Sequence, residues 1–157
     1  LFLIDRQLAQ FMRSLQDFDV LPLPQFNWAA MLGNPLIREQ HVYNPEDQSR
    51  LAAERIATFN PEQRSAFNQI LHAIDNRSGQ SFFLHGPGGT GKTYIYNTLC
   101  YHLRGQGRIV LCVASSGIAA LLLMGGRTSH STFRVPILIH ESSLCSITKN
   151  SDLGELI

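Results

Sequence analysis

HGPGGTGKT, residues 85 to 93, decides the reading of this chain. It packs four glycines, one proline and one lysine into nine residues. It follows the apolar run SFFLH (81–85) and leads into a stretch with Ile95, Leu99 and Leu103 at helical spacing. Gly86, Gly91, Lys92 and Thr93 fit G-x-x-x-x-G-K-[ST] in the strand–loop–helix setting that the pattern requires. Glycines let successive backbone N–H groups approach an anion with no Cβ in the way. The helix that follows adds unsatisfied amides and the positive end of its dipole. A glycine-rich connector of purely structural purpose is the alternative, and pattern and context together speak against it. Residues 86 to 93 (Gly86, Pro87, Gly88, Gly89, Thr90, Gly91, Lys92 and Thr93) are therefore expected to hold phosphate, with Lys92 on the outer phosphates and the Thr93 hydroxyl on magnesium.

Working outward, Phe59-Asn60-Pro61 marks a boundary. Asn60 suits an N-cap, Pro61 the first helical position, and Glu62 the positive end of the dipole. Phe67, Ile70, Leu71 and Ile74 then form one stripe of a helix ending near Ser78-Gly79. RIVLCVA (108–114) is a second apolar, β-branched run, beyond a helix over about 91–104 that Gly105 stops. Two strands apolar on both faces and joined through a helix predict an α/β fold with a parallel sheet flanked by helices. Upstream, residues 46–58 predict a helix, and Ile4, Leu8, Phe11, Met12 and Leu15 give an amphipathic one over 4–15. The proline-rich, Trp28-containing stretch between them predicts an ordered, irregular connector. The division expected is a mostly helical extension, 1–57, followed by an α/β unit, 58–157.

With 157 residues, 44% hydrophobic and 16% charged, the composition is that of a globular chain with a sizeable core. No apolar run approaches membrane-spanning length, so no membrane partner is expected. Between Asn76 and His140 there are six cations and no carboxylate, whereas the remainder carries seven basic and twelve acidic side chains. That segment suits polyanions such as nucleotide and nucleic acid; chance within an apolar stretch is the alternative. Cys100, Cys112 and Cys145 are odd in number and form no C-x-x-C pair, so disulfide and zinc readings are weak and a reducing interior is favoured. Cys100 and Cys112 read as buried structural thiols. His72, His85, His102 and His140 have no ligand spacing with them.

NPEQRSAFNQIL, FFLHGPGGTGKT and VASSGIAALLLMGGRTSHSTFRVPI, in that order, resemble the Pif (petite integration frequency) family of ATP-dependent DNA helicases, in its Helitron-transposon version. The resemblance covers roughly residues 58 to 157 and implies a RecA-like P-loop NTPase fold using ATP and magnesium. It implies translocation along single-stranded DNA, 5′ to 3′, in genome maintenance or transposon replication, with a nuclear or mitochondrial address. Gln63 falls where such helicases read the adenine edge with an amide that donates and accepts. It also stands at N3 after Asn60, where it suits a capping partner. Ser115, Ser116 and Gly117 match a motif that touches single-stranded DNA, and the serines also suit helix caps. Thr128, His130 and Ser131 match the next DNA-contacting motif, and Phe133 is either a base-stacking or a core aromatic. Thr132, between Ser131 and Phe133, departs from the simplest form of that motif.

In the resembling family, a stretch like SDLGELI leads into the acidic pair that holds magnesium, and an arginine finger lies further on. The chain as given is thus expected to be an incomplete motor, nearly inert as an ATPase and partly molten by itself. No N-K-x-D or D-x-x-G marks a GTPase, and no acid follows the second apolar run as in many small-molecule kinases. Another P-loop kinase or a non-catalytic nucleotide-binding remnant are the alternatives. Oligomeric state and target DNA structure are not legible.

Overall fold

The computed structural model describes residues 33–157, together with positions 4, 7, 8, 11 and 13–18. Most of the connector expected over 17–35 (residues 19–32) lies outside the described residues, as does most of the amphipathic helix, of which Ile4, Gln7 and Leu8 are helical. After a short 3-10 helix, Leu15–Asp17, the described elements are helices α1 (Pro35–Gln40), α2 (Pro45–Ala57), α3 (Pro61–Asp75) and α4 (Lys92–Gly105), strand β1 (Val113–Ala114), helix α5 (Gly117–Leu121), strand β2 (Arg127–Thr128), and helices α6 (Ser129–Phe133) and α7 (Asp152–Leu156).

The first three of these helices start the same way, with asparagine at the cap and proline next. Proline costs nothing where the N–H has no intrahelical partner, and the asparagine oxygen takes one of the amides left over. At α3 the arrangement is a full capping box. The Asn60 side chain accepts from the Gln63 amide at 2.8 Å, and Gln63 Oε1 accepts from the Asn60 amide at 3.2 Å.

The core forms where α2, α3 and α4 meet. Phe59, in the three-residue joint between α2 and α3, packs edge-on against Phe67 (5.3 Å between centroids) and Tyr94 (5.8 Å), with Ile95 and Leu99 completing the buried cluster. α2 lies along α4. Arg55 donates from Nε to the buried Thr98 hydroxyl at 3.2 Å, and its guanidinium carbon stands 4.0 Å from the Tyr94 ring centroid. The two helices approach closely because residue 105 is glycine: a Cβ there would run into Ser49. α1 and α7 form a second contact, where Asn34 Nδ2 donates to the Asp152 carbonyl at 2.6 Å and to Glu155 Oε2 at 3.0 Å.

The sheet is smaller than the sequence predicts. β1 and β2 pair in parallel, Val113 with Arg127 and Ala114 with Thr128, and the connection runs through α5. Within the expected strand 108–114, only 113–114 are in the ladder. The expected strand 81–85 has no ladder partner among the described residues. It lies across the face of α3 instead, where Phe82, Phe83 and Leu84 line a groove with Pro61, Ala66 and Ile70. Leu84 reaches the core while Phe83 is 90% exposed. Apolarity alone neither buried this run nor made it a strand, because a strand needs a neighbour to take its amides. Gly105 is the last residue of α4, one position beyond the expected end, with Gln106 as the cap and Gly107 at φ +74° after it. The described architecture is thus mixed α and β, with a small parallel sheet. No helix among the described residues is long and apolar enough to cross a membrane.

Candidate functional site

The glycine loop is held by its own side chains. Gly89 and Gly91 take left-handed backbone angles, φ +80° and +84°, which other residues adopt only at a cost. Lys92 folds back over the loop and donates from Nζ to the carbonyls of Gly86 (2.6 Å) and Pro87 (2.7 Å). Thr90 Oγ1 donates to the Pro87 carbonyl at 3.0 Å. α4 starts at Lys92 with Gly91 as its cap, so no side chain serves its first turn. Among the described hydrogen bonds, none takes an amide of Gly88 through Tyr94 to a protein acceptor; the first to find one is Ile95, on the Gly91 carbonyl at 3.0 Å. A run of unpartnered N–H groups at the start of a 14-residue helix, beside one ammonium group, has the chemistry to receive an anion.

Gln63 braces this loop from below. While Oε1 serves the capping box, Nε2 donates to the Thr90 carbonyl at 3.1 Å. Both halves of the amide are engaged with protein, so the capping role anticipated for Gln63 is realised, and it is combined with a tether that sequence spacing did not show. The tether passes close to Gly91, where a Cβ would meet Gln63 Nε2 at 2.5 Å. Gly91→Ala is therefore expected to disturb the loop twice, through its φ and through Gln63. Nucleotide titration of that variant should show weaker binding than Gly88→Ala, where a Cβ meets nothing within 4 Å.

The residues expected at the second motif lie on the segment that α4 holds. Thr93, Asn97, Cys100 and Arg104 recur at helical spacing along one side of α4. Asn97 Nδ2 donates to the Leu122 carbonyl at 2.9 Å, and Asn97 Oδ1 accepts the Met124 amide at 2.8 Å. Cys100 Sγ lies 2.9 Å from Cys112 Sγ. Arg104, 4% exposed, donates to the carbonyls of Met124 and Val110, each at 3.0 Å, beneath the Tyr43 ring. This polar stripe fastens residues 110–124 to the loop helix, and Thr93 and Ser115 end up lining one cavity of about 600 Å³. Asn97, which the sequence reading passed over, is the central fastener. Asn97→Ala leaves one carbonyl and one amide without partners and is expected to cost about 1–3 kcal/mol. Urea denaturation measures that cost, and faster exchange of the Met124 amide would locate it.

Ser116 caps α5 by accepting the Ala119 amide at 3.3 Å, and Gly117 opens that helix; Ser115 is exposed beside it. Thr128 caps α6 by accepting the Ser131 amide at 3.1 Å. His130 and Ser131 are exposed, while Phe133 is half-buried. The capping alternative is thus realised at Ser116, and Thr128 proves to be a cap that the sequence did not suggest, whereas Ser115, His130 and Ser131 are exposed.

The basic segment is less available to a polyanion than its count suggests. Arg104 is buried, Lys92 is turned onto loop carbonyls, and two more cations pair with carboxylates from outside the segment: Arg108 with Asp75 at 2.9 Å and Arg127 with Glu39 at 3.2 Å. Arg77 and Arg134, both in left-handed conformation, are exposed. Among the described residues no cluster of three or more His, Cys, Asp or Glu forms a ready-made metal site.

Comparison with known proteins bears on the same region. The family described as PIF1-like helicase matches residues 58–157. An ATP-dependent DNA helicase PIF4 of Trypanosoma brucei brucei is 38% identical over 79 residues, 50% of this chain and 9% of that protein. An ATP-dependent DNA helicase Pif1 of Bdellovibrio bacteriovorus is 39% identical over 80 residues, 51% of this chain and 16% of that protein. A regulator of nonsense transcripts 1 of Caenorhabditis elegans is 24% identical over 154 residues, 88% of this chain and 14% of that protein. The chain thus spans between 9% and 16% of the length of these relatives. The family match runs from the capped start of α3 through the glycine loop to the fastened segment beyond it, and the chain belongs to the PIF1-like helicase family.

Proposed function

We propose that this chain is the nucleotide-binding front part of an ATP-dependent DNA helicase, built on a RecA-like P-loop domain that begins near residue 58. The observation that carries the reading is the glycine loop: unpartnered amides over 88–94, the uncapped start of α4, and Lys92 held over both. These groups fit a nucleotide triphosphate. Residues 86 to 93 would bind its phosphates, and Gln63, by releasing Thr90 or Asn60, would face the adenine edge. Magnesium, when bound with ATP, supplies charge neutralisation on the phosphate oxygens. Thr93, exposed at the start of α4, would be the protein's ligand to it.

Single-stranded DNA would run past Ser115 and Gly117 and along Thr128, His130, Ser131 and Phe133. The stripe on α4 gives a physical reason for coupling: the helix that starts on the phosphates also holds the segment carrying Ser115. In the whole protein, this coupling would serve 5′-to-3′ travel along one strand, in repair, recombination, telomere maintenance or transposon replication, at a nuclear or mitochondrial address.

The test uses the full-length protein. Single-stranded DNA is expected to stimulate its ATP hydrolysis, and a fluorescent ATP analogue is expected to bind the present chain. Hydrolysis that ignores DNA but responds to a small acceptor molecule would make it another kind of P-loop enzyme.

A further inference from the structure

Outside the nucleotide site, one pair of nucleophilic side chains is brought together by the fold alone. Cys100 and Cys112 are twelve residues apart in sequence, yet their sulfurs lie 2.9 Å apart, with Arg104 Nη2 4.0 Å from Cys112 Sγ. All three cysteines are free thiols. Cys100 is buried at 5% exposure, whereas Cys112 is half-buried and lines cavities on both sides of its segment. The larger of these has a volume of about 600 Å³. Arg104 is a buried cation with no carboxylate among its hydrogen-bond partners, and its Nε has no partner. A thiolate at Cys112 would supply the missing negative charge.

We propose that Cys100 and Cys112 form a redox-active dithiol which a small-molecule disulfide of the glutathione type closes into an internal disulfide, joining α4 to the segment that leads into β1. In the first step the Cys112 thiolate attacks one sulfur of the small disulfide. The old S–S bond breaks, one small thiolate leaves, and a mixed disulfide forms on Cys112. Cys100 then gives up its proton to the solvent and attacks Cys112 Sγ, expelling the second small thiolate. The two protein thiols lose two electrons, and the small disulfide gains them as two thiols.

The roles follow from the surroundings. The contact between the two sulfurs, with help from Arg104, lowers the Cys112 pKa to about 7, while the same contact and burial raise that of Cys100. The other charged groups lining the cavity on Cys112's far side are Arg127, paired with Glu39, and Arg134. Cys112 is thus the attacking thiol and Cys100 the resolving one. The third thiol, Cys145, is exposed and has neither a sulfur neighbour nor a buried cation among its described contacts. The consequence is mechanical: the disulfide would add a covalent bond to the stripe that fastens residues 110–124 to the loop helix.

The experiment treats the full chain with oxidised glutathione, quenches in acid, alkylates the remaining thiols and maps the peptides by mass spectrometry. The expected result is a linked Cys100–Cys112 peptide, with a mass loss of about 2 Da for that pair, reversed by dithiothreitol. In urea this pairing preference should disappear and the three possible pairings should mix. With Cys100→Ser, glutathione should stay trapped on Cys112. With Cys112→Ser, Cys100 should react at least about tenfold more slowly than Cys112 does in the parent chain, because it is buried. A stable glutathione adduct on Cys112 in the unaltered chain, or equal reaction of all three cysteines under native conditions, overturns the proposal without bearing on nucleotide binding.

Discussion

Lys92→Ala is expected to weaken binding of ATP by about 10- to 150-fold, the equivalent of a charge-assisted contact worth roughly 1.5–3 kcal/mol. The structure makes the loss specific. Lys92 Nζ already stands over the loop, on the carbonyls of Gly86 and Pro87, and would exchange bonds to these for bonds to phosphate. Alanine also removes these two loop bonds, so part of any loss belongs to the loop's own order. Lys92→Met separates the effects, since it keeps most of the stem and discards the charge. Titration of a fluorescent ATP analogue, with circular dichroism to verify that the fold persists, reads the outcome. Affinity unchanged within about twofold in a folded Lys92→Ala chain would remove the phosphate from this loop.

The largest effect on stability is expected at Phe59. Its ring is the point where α2, α3 and α4 meet, in edge contact with Phe67 and Tyr94 and packed with Ile95 and Leu99. Phe59→Ala empties that junction and is expected to cost about 3–5 kcal/mol, against a total of about 5–15 kcal/mol for an ordinary domain. Phe83→Ala is the control. That ring is 90% exposed, and its loss should change stability by no more than about 0.5 kcal/mol. Urea midpoints of the two variants should therefore separate widely. A Phe59 variant no less stable than the Phe83 variant would mean that α2 and α3 do not close over α4 as described.

The position of Phe59 also bears on organisation. In sequence it reads as a joint, because Asn60-Pro61 so plainly begins a helix. In the fold that joint is core, and α2, assigned from sequence to the extension, lies along the loop helix with Arg55 against Thr98, Tyr94 and Tyr101. Boundary signals such as caps and prolines report where a helix starts, and they carry no information about what the chain on either side touches.

What the sequence determined by itself was local. Asparagine–proline starts, the glycine loop and the helical stripes of α3 and α4 follow from backbone preferences and from spacing within a few residues, so each is visible in a short window. Tertiary structure decided what depended on partners distant in the chain. Two apolar runs read as strands, yet only residues 113–114 found a ladder, with 127–128, because a strand exists only where a second backbone accepts its hydrogen bonds. Asn97, Cys100 and Arg104 carry no motif, and their meaning arises from residues 110–124 lying opposite them. Capping a helix is a matter of three residues; fastening one segment to another requires the whole fold to bring them within a hydrogen bond's reach.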